Sequence, residues 1–178
     1  IYFAGLLLGL LVPFGVIYTD DLFDTKVKSR LDLEGKINIP FIGDVPTSDS
    51  PLKIITSENK TGCAEALRII RTNLDFMLNK VPDGTAKTIF VTSTFSKEGK
   101  TFVSANLAAT FALSGKKVLL IGMDIRNPKL DEFMPLPEQG VTNYLASKKL
   151  AIKDLIVKCD GYKNFHILPS GMIPPNHA

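Results

Sequence analysis

The distribution of apolar residues predicts one very apolar N-terminal helix, followed by alternating helices and strands. Residues 1–18 carry no charge, and as a helix they would extend about 27 Å, close to the roughly 30 Å of a bilayer's hydrocarbon core. They predict a membrane-spanning helix truncated at its start. A buried core helix is the alternative, and Pro13 counts against it because proline disturbs a helix interior. Lys26, Lys28 and Arg30 follow closely, so the positive-inside rule places the rest of the chain in the cytoplasm.

The segment after this helix predicts a linker. Residues 19–50 are largely polar and charged, apart from a proline-bounded extended stretch at residues 39–46 that can dock on the following domain as an edge. The sequence therefore predicts three parts, namely a membrane helix at residues 1–18, a linker at residues 19–50 and a folded domain at residues 51–178.

A helix with one apolar face is predicted at residues 64–78. Its apolar residues recur at spacings of three and four, and they are Leu67, Ile70, Leu74 and Met77. Three charged residues lie on the other side, each three positions apart: Glu65, Arg68 and Arg71. Such a row is either a solvated face with a local Glu65–Arg68 pair or a subunit contact, in which guanidinium groups meet the carboxylates of a neighbour.

The rest of the chain alternates between strand and helix patterns. The predicted elements are a strand at residues 88–91, a helix at 102–112 ending at Ser114-Gly115, a fully buried strand at 116–121, short helices at 141–146 and 152–156, and a strand at 164–169. Strands joined through a helix lie parallel in one sheet. The predicted fold class is therefore α/β, with a parallel sheet flanked by helices.

The loop before the second predicted helix has the composition of a phosphate-binding loop. Residues 94–101 read Thr-Phe-Ser-Lys-Glu-Gly-Lys-Thr, and a strand, a tight loop and a helix N-terminus together let backbone amides face an anion. Lys100 can reach the terminal phosphates of a nucleotide, and the Thr101 hydroxyl can ligate Mg²⁺. The common pattern begins with Gly, where this chain has Thr94. Nucleotide binding is expected here, against the alternative of an ordinary turn with a surface lysine.

Two charged residues directly follow the strand predicted at residues 116–121. Asp124 and Arg126 would lie at the carboxyl end of that strand, which is the edge of an open α/β sheet where ligands bind. Asp124 can then approach the magnesium ion, and Arg126 the phosphates. The alternative is a helix cap at Asp124 and a surface charge at Arg126.

Charge and the number of cysteines and histidines bear on two further questions, namely nucleic-acid binding and metal binding. The net charge is +3 for 178 residues, and because the basic residues are dispersed, nothing favours a nucleic acid as partner. Cys63 and Cys159 lack the spacing of a metal site and are expected to be reduced thiols. The two histidines, His166 and His177, are too scattered to form a metal site.

The order of four motifs resembles the bacterial tyrosine autokinases of capsular and exopolysaccharide export, also called the polysaccharide co-polymerase or chain-length-determinant family. The motifs are Glu65–Leu74, the loop ending Glu98-Gly99-Lys100-Thr101, residues 118–129, and Ser170–Asn176. In the same comparison, residues 1–18 match the second membrane helix of the family and residues 39–46 match its juxtamembrane segment.

The resemblance implies a protein-tyrosine kinase of P-loop NTPase-like fold that uses ATP and Mg²⁺. Lys100 and Asp124 would be catalytic, Thr101 and Asp124 would hold the metal, and the row of Glu65, Arg68 and Arg71 would form the oligomer interface. The residues implied to bind ATP are Thr94, Phe95, Ser96, Lys97, Glu98, Gly99, Lys100, Thr101, Phe102 and Arg126.

The resemblance also implies a location and partners. The protein would lie in the bacterial inner membrane with its kinase domain in the cytoplasm, and it would form a ring in which copies phosphorylate each other. Its further partners would be the polysaccharide polymerase and export machinery and a cognate tyrosine phosphatase. Its activity would control the polymerisation, chain length and export of a capsular or extracellular polysaccharide.

Departures from the family pattern leave alternatives open. Gly122 replaces the first of two expected acids, which favours a membrane-tethered ATP-binding scaffold with little kinase activity. A hydrophobic strand ending in a metal-site Asp, and a tyrosine-rich tail, would lie beyond Ala178, so the domain is expected to be C-terminally truncated. A partition or division-site ATPase is the third alternative, but Phe95 stands where those proteins carry Lys.

Overall fold

A computed structural model describes residues 2–24, 27, 30–33, 35–48, 53–82, 84–147 and 149–174. Its contacts divide the chain into two compact units, Ile1–Phe41 and Ile42–Ala178. The second unit begins before residue 51, where the sequence places the start of the folded domain. Lys26 and Lys28, which were used to predict the membrane orientation, lie outside the described residues, as does the end of the Ser170–Asn176 motif.

The first unit contains one long helix, α1, at Tyr2–Phe23. Its segment Gly5–Phe23 is long and apolar enough to cross a membrane, with a mean hydropathy of 1.7, and none of that segment is buried. Pro13 lies inside the helix, and the Thr19 hydroxyl donates to the carbonyl oxygens of Gly15 and Val16, at 2.9 Å each.

The second unit is built on a three-stranded sheet with the order β1-β3-β2. β1 is Val118–Ile121, β2 is Val157–Lys158 and β3 is Phe165–Leu168. β1 and β3 are parallel, as the sequence predicts, with Val118 opposite Phe165. The short β2 was not predicted, and because it pairs antiparallel to β3, the sheet is mixed.

Among the described residues of this unit, three α-helices accompany the sheet: α2 at Gly62–Leu78, α3 at Lys100–Leu113 and α4 at Val141–Ala146. α3 contributes to two core clusters, since its alanines Ala105 and Ala109 pack with residues of β3 and its Leu107 and Phe111 pack with α2. The helix predicted at residues 152–156 is a short 3₁₀ turn, Ile152–Leu155. Thr61 caps α2 by accepting a hydrogen bond from the Ala64 amide, at 3.2 Å.

The stretch predicted to dock on the domain does contact α2. Ile42 and Val45 pack against the cluster around α2, and the Asn73 side-chain amide donates to the Ile42 carbonyl at 2.9 Å. Gly43 lies so close to the helix that a Cβ atom there would be 2.6 Å from Cγ1 of Ile70. The residue at position 43 must therefore be small.

The prediction of a strand at residues 88–91 is wrong, and so is the prediction that β1 is fully buried. Residues 86–93 form no strand, and this segment and β1 border a common cavity of about 440 Å³. Ile89 and Val91 line it from one side and Leu119 from the other, and Leu119 is 44 % exposed. We call this gap, bounded by residues 84–91 and β1, the open edge of the sheet.

Candidate functional site

The predicted phosphate loop, residues 94–101, runs directly into the N-terminus of α3. Gly99 precedes the helix with a φ of 83°, and Lys97 has a φ of 69°. Left-handed residues in a loop reorient its backbone amides, as in loops that bind anions. A positive φ is uncommon for a residue with a side chain, and such conformations concentrate at functional sites.

The side chain of Glu98 already provides an anionic group to this loop. Its Oε2 atom accepts a hydrogen bond from the Phe95 amide at 3.1 Å, and the Ser93 hydroxyl donates to the Phe95 carbonyl at 2.8 Å. The loop residues 94–99 are all exposed. One loop amide is therefore oriented so that a negatively charged oxygen can accept from it.

Lys100 and Asp124 form an ion pair beside the loop. Lys100 Nζ lies 3.1 Å from Asp124 Oδ2, and about a third of each side chain is exposed. The other carboxylate oxygen, Oδ1, accepts from the Asn127 amide at 3.0 Å. The start of α3 and the chain after β1 thus meet at one end of the sheet, which is the juxtaposition expected from the order of the elements.

The surroundings of Asp124 favour its ionised form. Partial burial alone would raise the pKa of its carboxyl group, but the Asn127 amide, the Lys100 ammonium group and the Arg126 amide together hold the pKa below the ordinary value. The carboxylate is therefore charged at neutral pH, as a ligand for a hard cation must be.

The other predicted site residues are distributed around this pair. Thr101 lies half-buried in the first turn of α3. The side chain of Phe102 belongs to the core and lies 6.4 Å from the Phe133 ring, so only its backbone is available to the loop. The Arg126 side chain is exposed; through its backbone amide the residue contacts Asp124.

Comparison with known proteins gives the fold and the relatives. Residues 89–174 match the family described as CobQ/CobB/MinD/ParA nucleotide binding domain. Tyrosine-protein kinase YwqD of Bacillus subtilis (strain 168) is 38 % identical over 126 residues, which are 70 % of this chain and 51 % of that protein. The solved structure titled BceF Tyrosine Kinase Domain superimposes with a TM-score of 0.72 at 27 % identity, covering 86 % of this chain and 66 % of that one.

The chain is similar to bacterial tyrosine kinases in sequence and in fold. A further relative, the putative tyrosine-protein kinase in cps region of Klebsiella pneumoniae, is 26 % identical over 194 residues, which are 98 % of this chain and 26 % of that protein. The chain thus spans about half the length of YwqD and a smaller part of the Klebsiella protein. The family match and the structural match confirm the prediction of a P-loop NTPase-like fold.

The charged row of α2, Glu65, Arg68 and Arg71, is separate from the phosphate loop in the sequence and belongs to a different helix. Arg68 Nη1 contacts Glu65 Oε1, and Arg68 Nη2 donates to the Asn59 carbonyl at 2.7 Å. The Nε atom of Arg71 is buried and has no hydrogen-bond acceptor among the described residues. Glu65 and Arg68 therefore form the local pair that one of the two interpretations of the sequence expects. The guanidinium group of Arg71 is not part of that pair.

Gly122, where the bacterial tyrosine-kinase pattern has an acid, packs closely against the loop that follows β3. Its amide donates to the Leu168 carbonyl at 2.9 Å. A Cβ atom at position 122 would lie 3.0 Å from the Ser170 amide nitrogen and 3.5 Å from the Pro169 carbonyl carbon. An acidic side chain at this position would require the loop after β3 to move. The close packing of this loop therefore goes together with glycine, rather than an acid, at position 122.

Residues that the sequence analysis missed hold this loop in place. Asn143 Oδ1 accepts from the amides of Gly140, at 3.0 Å, and Met172, at 3.3 Å, and the Thr142 hydroxyl donates to the Met172 carbonyl at 2.8 Å. The loop is thereby fastened to the N-terminus of α4. The sequence offered one signal for these contacts: Asn143 lies three positions after Gly140, which precedes the short helix α4, and this spacing is typical of helix capping.

Proposed function

We propose that this chain is the ATP-binding part of a protein-tyrosine autokinase that controls the polymerisation, chain length and export of a capsular or extracellular polysaccharide. The single observation that carries the proposal is the Lys100–Asp124 pair, at 3.1 Å, beside a loop with left-handed residues at a helix N-terminus. The names of the relatives support transfer to tyrosine, and the cps region in one name supports a polysaccharide role.

The residues present fit a magnesium nucleotide. Mg²⁺ prefers oxygen ligands. Asp124 offers a carboxylate whose pKa is lowered, and Thr101, the residue after Lys100, offers a hydroxyl in the first turn of α3. When bound, the ion would neutralise the negative charge of the β- and γ-phosphates. We assign metal binding to Thr101 and Asp124 as part of the proposal.

The protein groups would act by positioning and by electrostatic stabilisation. Lys100 would exchange its contact with Asp124 for the β- and γ-phosphates, and the amides of residues 94–101 would surround the phosphates. Arg126 can approach the phosphates from its exposed position. Phosphoryl transfer of this kind needs an aligned tyrosine hydroxyl and stabilised charge, and it needs no covalent intermediate.

The location and partners are part of the same proposal. α1 would anchor the protein in the bacterial inner membrane, with the kinase domain in the cytoplasm. Glu65, Arg68 and Arg71 would contact the next copy in a ring, and each copy would phosphorylate its neighbour. The polymerase and export machinery and a tyrosine phosphatase would be the other partners.

Phosphotyrosine formation by the full-length protein tests the proposal. With ATP and Mg²⁺, the protein should accumulate phosphotyrosine detectable by mass spectrometry, and Lys100→Met should abolish it. Lys153→Met, an exposed lysine on the 3₁₀ turn, is the matched control and should leave phosphorylation unchanged. Equal phosphotyrosine with and without Lys100 would refute the proposal.

The close packing of Gly122 against Ser170 favours a second candidate, a membrane-tethered scaffold that binds ATP to set ring assembly and phosphorylates little. Ring size, phosphotyrosine and polymer length should be measured separately in Asp124→Asn. If rings and polymer length persist while phosphotyrosine is lost, the scaffold is supported over the kinase. A partition or division-site ATPase has less support, because the relatives that cover most of the chain are named as tyrosine kinases.

A further inference from the structure

The side chain of Glu98 folds back onto the phosphate loop to which it belongs. Its Oε2 atom accepts a hydrogen bond at 3.1 Å from the Phe95 amide, three positions earlier in the chain. The residues on both sides of Glu98 have a left-handed backbone, with a φ of 69° at Lys97 and 83° at Gly99. These two conformations turn the chain around Glu98, and its carboxylate lies against the backbone of its own loop.

A second side chain fixes the same part of the loop. The Ser93 hydroxyl donates to the Phe95 carbonyl at 2.8 Å. The amide and the carbonyl of Phe95 therefore each have a side-chain partner, one from before the residue and one from after it. The contact with Glu98 thus belongs to a defined conformation of the loop, in which the direction of the Phe95 peptide groups is set.

The carboxylate of Glu98 is held in the loop by this hydrogen bond and not by a cation. Among the residues that the structure describes, no lysine or arginine forms an ion pair with Glu98, and Lys100, two residues further along, is paired with Asp124 instead. Moving Glu98 away from the loop therefore breaks one exposed hydrogen bond, whose net strength is modest, and no ion pair.

The Phe95 amide is one of the loop amides that would surround the phosphates of a nucleotide, and in this respect the inference rests on the proposed function. An amide has one hydrogen to donate, and carboxylate and phosphate oxygens are charged acceptors of the same kind. A phosphate oxygen at this amide must replace Oε2 of Glu98. A carboxylate that stayed close by would also repel the phosphate.

We propose that the carboxylate of Glu98 is an internal competitor of the phosphate tail, which has to displace it from the Phe95 amide in order to bind. The loop then has two arrangements, one with Glu98 on its own amide and one with Glu98 turned outward and a phosphate in its place. Because Glu98 and the rest of residues 94–99 are exposed, the side chain can turn outward without disturbing the core. Glu98 would lower the affinity for ATP and for its product ADP alike, and so limit how tightly the product is retained.

Titration of the full-length protein with ATP and with inorganic triphosphate, both in EDTA, tests this proposal. Triphosphate has the phosphate tail without the nucleoside, and EDTA removes any contribution from Mg²⁺. Glu98→Ala should bind both probes about fivefold more tightly, because this is the effect of one unit charge close to the tail in a water-like medium. Glu58→Ala is the matched control, since it removes an exposed carboxylate from the turn at residues 56–59, and it should change both affinities by less than about twofold.

Glu98→Asp separates the contact from the charge. It keeps the charge, but its side chain is shorter by one methylene group and should lose the contact with the Phe95 amide. It should therefore bind both probes more tightly than the unsubstituted protein and less tightly than Glu98→Ala. If only Glu98→Ala bound more tightly, charge alone would be responsible, and the displaced contact would be refuted.

Two other results would overturn the proposal. The first is an affinity in Glu98→Ala that is unchanged or weaker, and the second is a gain for ATP without a gain for triphosphate. Lys100→Met distinguishes this failure from that of the proposed function. If Lys100→Met weakens ATP binding while Glu98→Ala does not strengthen it, the role of Glu98 alone is refuted. If ATP binds equally well with and without Lys100, nucleotide binding by this loop is refuted as well.

Discussion

Replacing Asp124 by Asn should affect ATP binding in opposite directions with and without Mg²⁺. In the structure the carboxylate of Asp124 is paired with Lys100 at 3.1 Å. Removing its charge releases the lysine for the phosphates and removes a negative group that repels them. The same change removes an oxygen ligand from the proposed metal site.

The magnitudes follow from the geometry of the pair. At 3.1 Å two unit charges in a water-like medium attract by about 1 kcal/mol, and because a third of each side chain is exposed, we expect the net value to lie within the roughly 0.2–1 kcal/mol measured for exposed pairs. ATP without Mg²⁺ should therefore bind up to about fivefold more tightly to the variant. MgATP should bind about tenfold more weakly or worse, since loss of even an outer partner of a metal site lowers metal affinity by roughly 10–100-fold.

Titration of a fluorescent ATP analogue, with EDTA and with Mg²⁺, measures both effects in the full-length protein. The decisive quantity is the dissociation constant measured with EDTA divided by the one measured with Mg²⁺. In Asp124→Asn this ratio should fall by at least about tenfold, and by about 50-fold if a tenfold loss for MgATP combines with a fivefold gain for free ATP. Glu132→Gln is the matched control, since it neutralises the carboxylate of another exposed pair, Lys129–Glu132 at 2.8 Å. An unchanged ratio in Asp124→Asn would show that this carboxylate does not face the cation.

Three further predictions concern stability. The pKa of Asp124 is lowered in the folded protein, so its charge stabilises the fold fully at pH values above the unfolded pKa of about 3.9. The difference in unfolding free energy between the unsubstituted protein and Asp124→Asn should shrink progressively as the pH falls from about 4 through the lower pKa of the folded state. Asn106→Ala should lower the free energy of urea unfolding by about 2–4 kcal/mol, because Asn106 is fully buried and its Oδ1 is the acceptor, at 2.7 Å, for the Ile55 amide. Gly140→Ala should lower Tm, with a loss of about 1–3 kcal/mol or more, because its Cβ atom would lie 2.1 Å from the Pro169 carbonyl oxygen.

Matched substitutions separate these effects from general damage. Asn164→Ala removes a partly exposed side-chain amide whose hydrogen bond to the Gly115 carbonyl is 3.3 Å long, and it should change the unfolding free energy by less than about 0.5 kcal/mol. Gly62→Ala places a Cβ atom with no neighbour within 4 Å at the start of α2, and it should be neutral or stabilising. Equal losses in Asn106→Ala and Asn164→Ala, or in Gly140→Ala and Gly62→Ala, would contradict the assigned contacts.

The sequence was most informative where local pattern and chain order suffice. The apolar spacing predicted a helix at residues 64–78, and α2 is Gly62–Leu78; the order of strand, loop and helix led us to expect Lys100 near Asp124. The apolar row of α2 was less well predicted, since Leu67 is buried whereas Met77 is 44 % exposed. Periodicity shows which residues share a face, but burial also requires another element to cover that face.

What the sequence could not provide depends on neighbours distant in the chain. Residues 88–91 have a strand-like composition, but a strand also needs a partner, and β-propensity describes how well a residue fits a covered sheet surface. β2, a two-residue strand, is too short to leave an alternating pattern. The hydrogen bonds of Asn143 with the loop after β3 join segments about thirty residues apart in the chain. The periodicity of apolar residues therefore cannot predict them.

The open edge of the sheet has a consequence for how this protein behaves in concentrated solution. An edge without a ladder offers backbone amide and carbonyl groups to any other chain, and such edges are sites of cross-chain pairing and aggregation. Lys116 and Lys117 stand directly before β1, where flanking charges act as gatekeepers against such association. Aggregation through this edge should not depend on Arg71, and it should increase in Lys116→Ala or Lys117→Ala. Assembly into rings, in contrast, is proposed to use Arg71, so the two kinds of association can be told apart.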